Sequence, residues 1–307
     1  MGTLPGRRLV LLLPTVLGVV TLVFAFLHLL PGDPVEIMLG DWAAPADAVA
    51  LRRDLGLDRP LAAQYVRFVG HAARGDFGQS IAFRAPVARV IADRYPATVE
   101  LAIAALLLAV GGAVPLGVLA AVWRGRALDR IVRLASLAGV CLPSFWLGPV
   151  LMFAFAMRLD WLPVSGRGGL AHLVLPAATL ALGMGGILVR LTRTSVLAAL
   201  GEDYVRTARA KGAPRWRAVG VHALRNALVP VVTVLGLQAG ALLAGAVITE
   251  TIFAWPGIGR LVVQAIQARD YPLVQGCVLV IGVTYVAINT AADVLVRAID
   301  PRLAEPA

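Results

Sequence analysis

The sequence predicts an all-α, polytopic membrane protein with six transmembrane helices. Composition is the first reason: the 307 residues are 59% hydrophobic and 15% charged, with a mean hydropathy of +0.81, far from the balance of a water-soluble domain. The second is six apolar stretches near or above the roughly 20 residues a helix needs to cross the hydrocarbon, where no water satisfies backbone N–H and C=O groups. The third is the placement of the formal charge of +10, which gathers in a few connections.

The first stretch runs from Leu9 to Leu30, behind Arg7 and Arg8. A basic flank also opens a secretory signal, but this apolar run exceeds the roughly 7–15 residues of a signal core, and His28 to Pro34 lacks a small-x-small cleavage site. The segment is expected to stay attached. Residues 31–96 are too few for a substantial core of their own and should fold against the membrane part. Within them Pro45 to Gly56 reads as a short helix with a C-terminal glycine, Asp58-Arg59-Pro60 opens a second running towards His71, and Gly75-Asp76-Phe77-Gly78-Gln79-Ser80 forms a tight turn. Surface amphipathic helices and a docking face for an external partner are both compatible with this stretch.

The other spans are Ala97 to Val122, Leu134 to Met157, Leu170 to Val189, Ala227 to Thr249 and Leu273 to Val296. This divides the chain into residues 1–30, an extracytoplasmic segment 31–96, a five-helix core 97–296 containing the loop 190–226, and a tail 297–307. Cys141 and Cys277 fall inside spans, as small apolar packing residues, and no metal-ligand spacing is present.

Charge sets the orientation, because Lys and Arg in short loops are retained inside. The N-terminus carries +2, the connection Arg124 to Arg133 +3 and the connection Arg190 to Arg225 +6, whereas residues 31–96 balance eight Arg against eight acids. Both termini are therefore expected in the cytoplasm. The high pI reflects this topology and not nucleic-acid binding, and the bases also suit anionic lipid headgroups.

The most basic connection contains the clearest local pattern. Glu202 and Asp203 begin a helix that ends at Lys211 with Gly212 behind it, and Ala213-Pro214 restarts the chain as a second helix leading into the fifth span. Tyr204, Thr207, Ala208 and Lys211 make one stripe with small residues at its centre, while Arg206 and Arg209 stand off it. A lipid-lying helix needs a broad apolar face, and this one has little beyond Tyr204 and Val205. Protein docking suits it better.

The order Tyr204-Val-Arg-Thr-Ala-Arg-Ala-Lys-Gly212, then His222-Ala-Leu-Arg-Asn-Ala-Leu-Val-Pro230, resembles the cytoplasmic EAA loop of binding-protein-dependent ABC importer permeases of the dipeptide, oligopeptide and nickel branch. Leu30-Pro-Gly-Asp-Pro34, Gly75 to Ser80, Pro143-Ser-Phe145, Glu250-Thr-Ile-Phe253, Trp255-Pro-Gly-Ile-Gly-Arg260, Arg269-Asp-Tyr-Pro272 and Asp300-Pro-Arg302 extend the resemblance over nearly the whole chain. It implies a type I importer permease fold in a bacterial or archaeal cytoplasmic membrane. The coupling role falls on Tyr204, Arg206, Thr207, Ala208, Arg209, Ala210, Lys211 and Gly212; Arg206 stands at the motif's Glu position and Thr207 at its first Ala.

The partners so implied are two ATP-binding subunits, a second permease subunit and an extracytoplasmic substrate-binding protein, with membrane lipid around them. The expected cargo is a short peptide or a related small solute. No phosphate-binding Gly-x-x-x-x-Gly-Lys-Ser/Thr occurs, since the single lysine, Lys211, precedes Gly212 and Ala213. The chain is expected to bind no cofactor and to be no enzyme by itself, with ATP consumed by partner subunits.

Glu250, Phe253, Trp255, Pro256 and Gly257 read either as an interfacial aromatic anchor or, by resemblance, as part of an outer gate or of the surface that meets the binding protein. A proton-coupled carrier with Glu100 and Asp293 as relay groups is the alternative from another class. No repeated pair of broken spans supports it. A serine hydrolase using Ser144 or Ser165 lacks a suitably spaced His.

Overall fold

The computed structural model describes residues 14–25, six positions between 35 and 53, and residues 56–299, excluding the side chains of 243–245 and 297–299. The Leu30 to Pro34 and Asp300 to Arg302 stretches lie outside the described residues, as do half of the helix expected from Pro45 to Gly56 and both ends of the first span.

In chain order the elements are α1 (Pro14–Ala25), α2 (Leu61–Ala73), strands β1 (Gln79–Ser80) and β2 (Ala85–Pro86), α3 (Val87–Val122), α4 (Ala127–Cys141), α5 (Ser144–Leu151) with a π-helical extension (Met152–Arg158), α6 (Leu170–Gly201), α7 (Asp203–Ala210), α8 (Arg215–Arg217), a π-helical turn (Ala218–Ala223), α9 (Leu224–Ile252), α10 (Ile258–Gln267) and α11 (Tyr271–Ile299). Among the described residues four helices are long and apolar enough to cross a membrane, and α4 with the α5 segment makes a fifth if a bent pair counts as one span. Helix α1, apolar but shorter, covers the middle of the expected first span.

One expectation about the spans needs correction. The third span, Leu134 to Met157, is not one helix: α4 and the α5 segment meet at 110°. Pro143 is the cause, because its ring excludes the preceding residue from helical geometry, and Leu142 accordingly sits at φ −84°, ψ 118°. The all-α class holds, with one local addition: β1 and β2 form a short antiparallel ladder pairing Gln79 with Pro86 and Ser80 with Ala85.

The chain divides into two units, residues 1–98 with 256–286 and residues 99–255 with 287–307. In the first, Val87 and Ile91 of α3, Ile258, Leu261 and Ala265 of α10, and Leu273 and Cys277 of α11 form one apolar core. Helix α2 begins after Pro60, as its turn residues require, and Tyr65 bonds Thr21 of α1 at 2.7 Å while Phe24 meets the Tyr65 ring edge-on. The Gly75 to Ser80 turn forms as expected. Gly75 and Gly78 take positive φ, and the Asp76 carboxylate accepts the Gly78 N–H at 3.0 Å. That bond, reinforced by His71, holds the Asp76 carboxyl below its ordinary pKa.

The ladder is tied down by Asp270, which is fully buried. Its carboxylate accepts the Ser80 hydroxyl at 2.6 Å, the Ala82 N–H at 3.0 Å and the Leu273 N–H at 3.2 Å. Two of the stretches noted in the sequence, Gly75 to Ser80 and Arg269 to Pro272, thereby meet at one carboxylate.

In the second unit α6 is the helix against which α4 and α9 pack most extensively. The approach to α4 is close because glycine faces backbone. A Cβ on Gly139 would lie 2.8 Å from the Leu182 carbonyl oxygen, and one on Gly186 would collide with the Ser136 carbonyl. Helices in lipid gain little from hydrophobic contact with one another, so such small-residue seams supply the packing. Replacing Gly186 with Leu is expected to separate α4 from α6 and cost about 1–3 kcal/mol, read as a lower unfolding midpoint in detergent. Gly185→Ala, whose Cβ would meet nothing within 4 Å, is expected to leave that midpoint nearly unchanged.

Candidate functional site

The basic loop folds as its local chemistry requires. Helix α7 starts after Glu202, which is extended at φ −73°, ψ 150°, and closes at Lys211. Gly212 follows at φ +87°, a left-handed geometry that glycine adopts without steric cost. The Lys211, Gly212 and Ala213 N–H groups return to the carbonyls of Thr207, Arg209 and Ala208, which leaves the end of the helix well bonded. Pro214 then caps α8.

Val205 holds this helix in place. It is 1% exposed and packs in a cluster of Ala121 from α3, Val196 and Ala199 from α6, Ala218 and Ala223 from the π-helical turn, and Ala227 from α9. Helix α7 packs on α6 and the π-helical turn, inside a cluster of small residues that α3 and α9 also enter. The expected stripe lies away from this anchor: Tyr204, Thr207, Ala208 and Lys211 line one cleft of about 430 Å³, with Gly212, Ala213, Pro214, Arg217 and His222 completing its lining. Arg206 and Arg209 are exposed, and Arg206 makes a 3.3 Å ion pair with Asp203, an exposed pair worth at most about 1 kcal/mol.

A buried brace behind the loop was not foreseen. Asp129, 1% exposed in the first turn of α4, receives Arg193 of α6 in a two-point contact, Nε at 2.7 Å and Nη2 at 2.9 Å, and also the Gly125 N–H at 2.9 Å. Arg133 approaches at 3.4 Å. Asp129 is the lone acid between Arg124 and Arg133, a visible hint, but its partner is 64 positions away.

In the Glu250 to Trp255 part of the second unit, Glu250, Phe253 and Trp255 are interior. Glu250 is fully buried and accepts the Trp255 N–H on its backbone carbonyl at 2.8 Å. Phe253 packs with Ala156 and Leu175, and its carbonyl accepts the Gly166 N–H at 2.8 Å. Burial of Phe253 and Trp255, each 1% exposed, corrects the anchor reading, because an interfacial anchor must present its ring to the headgroups. Phe145, Trp146, Phe153 and Trp161, in the α5 segment and just after it, are exposed aromatic side chains of this unit. Arg167 stands 5.9 Å from the Trp255 ring and binds Glu100 at 2.6 Å and 3.0 Å. In the first unit Pro256 is half-buried, and the buried Gly257 precedes α10, whose Ile258 N–H bonds the Thr98 hydroxyl at 2.8 Å.

Comparison with known proteins bears on all of these stretches. Residues 113–305 match the family of binding-protein-dependent transport system inner membrane components, and residues 6–102 match the N-terminal membrane component of such systems. The chain belongs to this family. It is 42% identical to the dipeptide transport system permease protein DppB of Escherichia coli strain K12, with 97% of each chain covered. It is 44% identical to the glutathione transport system permease protein GsiC of Salmonella paratyphi A and to the di/tripeptide transport system permease protein DppB of Pseudomonas aeruginosa, again over 97% of each chain. Among solved structures, the inward-facing methionine ABC transporter MetNI superposes with a TM-score of 0.55 at 21% identity, over 68% of this chain and 96% of that one, which shows a shared type I permease fold.

Membership in an ABC permease family removes the reason to read Glu100 and Asp293 as a proton relay. Glu100 is taken up by Arg167, and Asp293 sits on the exposed side of α11. Among the described residues no group of His, Cys, Asp and Glu is arranged to hold a metal.

The Asp129 brace has a measurable consequence. Arg193→Leu leaves a buried carboxylate without its main partner and is expected to cost about 3–5 kcal/mol. Asp129→Asn combined with Arg193→Leu is expected to lose less than the two single changes added together, a coupling that thermal unfolding of all three variants measures.

Proposed function

We propose that this chain is one of two permease subunits of an ATP-driven importer for short peptides, including glutathione-like tripeptides, and that α7 with Gly212 is the element through which two separate ATPase subunits drive it. The observation carrying this reading is the seat of α7. Val205 seats one side of the helix in a cluster that α3, α6 and α9 share, and the stripe of Tyr204, Thr207, Ala208 and Lys211 on a different side lines an open cleft. Force applied to such a helix reaches three long helices through packed side chains, without passing through a flexible linker.

The relatives that transport dipeptides, di/tripeptides and glutathione support the cargo class, and the excess of bases in the loop supports a cytoplasmic position for it. An extracytoplasmic binding protein would deliver the cargo. Glu250, Phe253, Trp255, Pro256 and Gly257 are assigned to the closing of the pathway on that side. The packed position of Phe253 and the bonded turn behind it suit a rigid constriction better than a mobile flap.

Ala208→Trp together with Gly212→Val fills the cleft and forces a β-branched residue into left-handed geometry. Co-purification of the co-expressed ATPase subunits and ATP-dependent peptide uptake in proteoliposomes are both expected to be lost, while membrane insertion is retained. Full uptake by this variant would refute the coupling role.

A further inference from the structure

The cleft beside α7 has a one-sided chemistry. Lys211, Arg217 and His222 lie on it, Tyr204 adds a phenol, and no carboxylate lines it. The nearby acids do not compensate: Asp203 is paired with Arg206, and Glu202 lies outside the lining. Among the described residues Lys211 and Arg217 make no ion pair. A concave site that places two cations and an imidazole together, with no anion among them, is matched by an anionic group brought in from outside.

Lys211 itself sharpens this. It is the single lysine in a chain whose other 27 bases are arginine, and it stands at the closing residue of α7, where helix carbonyls already favour a cation. Its compact ammonium group, exposed on the cleft wall, offers three rotatable donors to a carboxylate. Gly212, with no side chain and a positive φ, leaves the wall beside it open.

We propose that the cleft receives an acidic side chain, Asp or Glu, of the ATPase subunit, with Lys211 as its direct partner and Arg217 as the second. Arg206, outside the lining and paired with Asp203, takes no part; the permease supplies the cations of this contact from Lys211 and Arg217, and the ATPase the anion. The proposal rests on the coupling role assigned to α7 above, and adds to it the chemical identity of the partner group.

Because Lys211 is the only lysine, the contact can be read without any substitution. Treating the purified complex with a water-soluble carbodiimide joins an amine to a carboxylate in direct contact and inserts no spacer. The expected result is an adduct between this chain and the ATPase, mapped by peptide mass spectrometry to Lys211 and one Asp or Glu of the ATPase, and lost in Lys211→Arg. In parallel, Lys211→Glu with Arg217→Glu is expected to lower ATPase retention by about tenfold, the scale of two exposed charge contacts removed together. That loss is expected to be steepest at low salt, where screening is weakest.

An ATPase that stays bound with no Lys211 adduct overturns the proposal and leaves the coupling role standing. So does an adduct to Glu202 or Asp203 of this chain, or retention unchanged by the double reversal. Failure of the ATPase to co-purify with the unmodified chain at any salt concentration overturns the coupling role and this proposal together.

Discussion

The close approach of α4 to α6 through glycine is the constraint on which the second unit depends. Where Gly139 and Gly186 face carbonyl oxygens, no side chain larger than hydrogen fits without moving a backbone. Thr192 and the Val189 carbonyl of the same helix lie against Gly117 of α3, so α6 is gripped at several levels along its length. A helix held this way moves as a body with its neighbours, because sliding it by a fraction of a turn replaces a glycine with a side chain at the point of contact. Its C-terminal end is where α7 begins, after a single extended residue.

That continuity explains the form of the basic loop. Val205 is the one large apolar side chain that α7 commits inward, and its seat is nearly all alanine and valine, which keeps the short helix close to the long ones. The Asp129–Arg193 brace lies on the same two helices that the glycines join. It adds a directional contact to packing that is otherwise only steric, and its low exposure keeps it largely unscreened by salt. Together these features make the loop a rigid extension of the bundle.

The first unit is organised differently. Its hairpin is too short to stand alone, and the buried Asp270 carboxylate supplies what the ladder lacks by accepting bonds from Ser80 and Ala82. The Arg269 to Pro272 stretch is therefore read as the partner of the Gly75 to Ser80 turn, a pairing of residues 190 positions apart that neither stretch announces by itself.

Much of this protein was legible in its sequence wherever a residue acts on its immediate neighbours. Apolar run length marked the long helices, Gly212 and Pro214 marked the limits of the loop helix, and the spacing of Tyr204, Thr207, Ala208 and Lys211 put them on one face, because helix geometry, glycine's freedom at positive φ and proline's missing N–H are local properties. The 110° break at Leu142 was within reach of the same rules, since Pro143 is in plain view; the uninterrupted apolar run concealed it. Only the tertiary structure decided that Val205 and not Tyr204 is the inward anchor, that Phe253 and Trp255 are interior, and that Asp129 belongs to Arg193. Each depends on a surface contributed by residues far away in the chain, and in a sequence this uniformly apolar, hydrophobicity separates membrane from water but does not tell one side of a helix from the other.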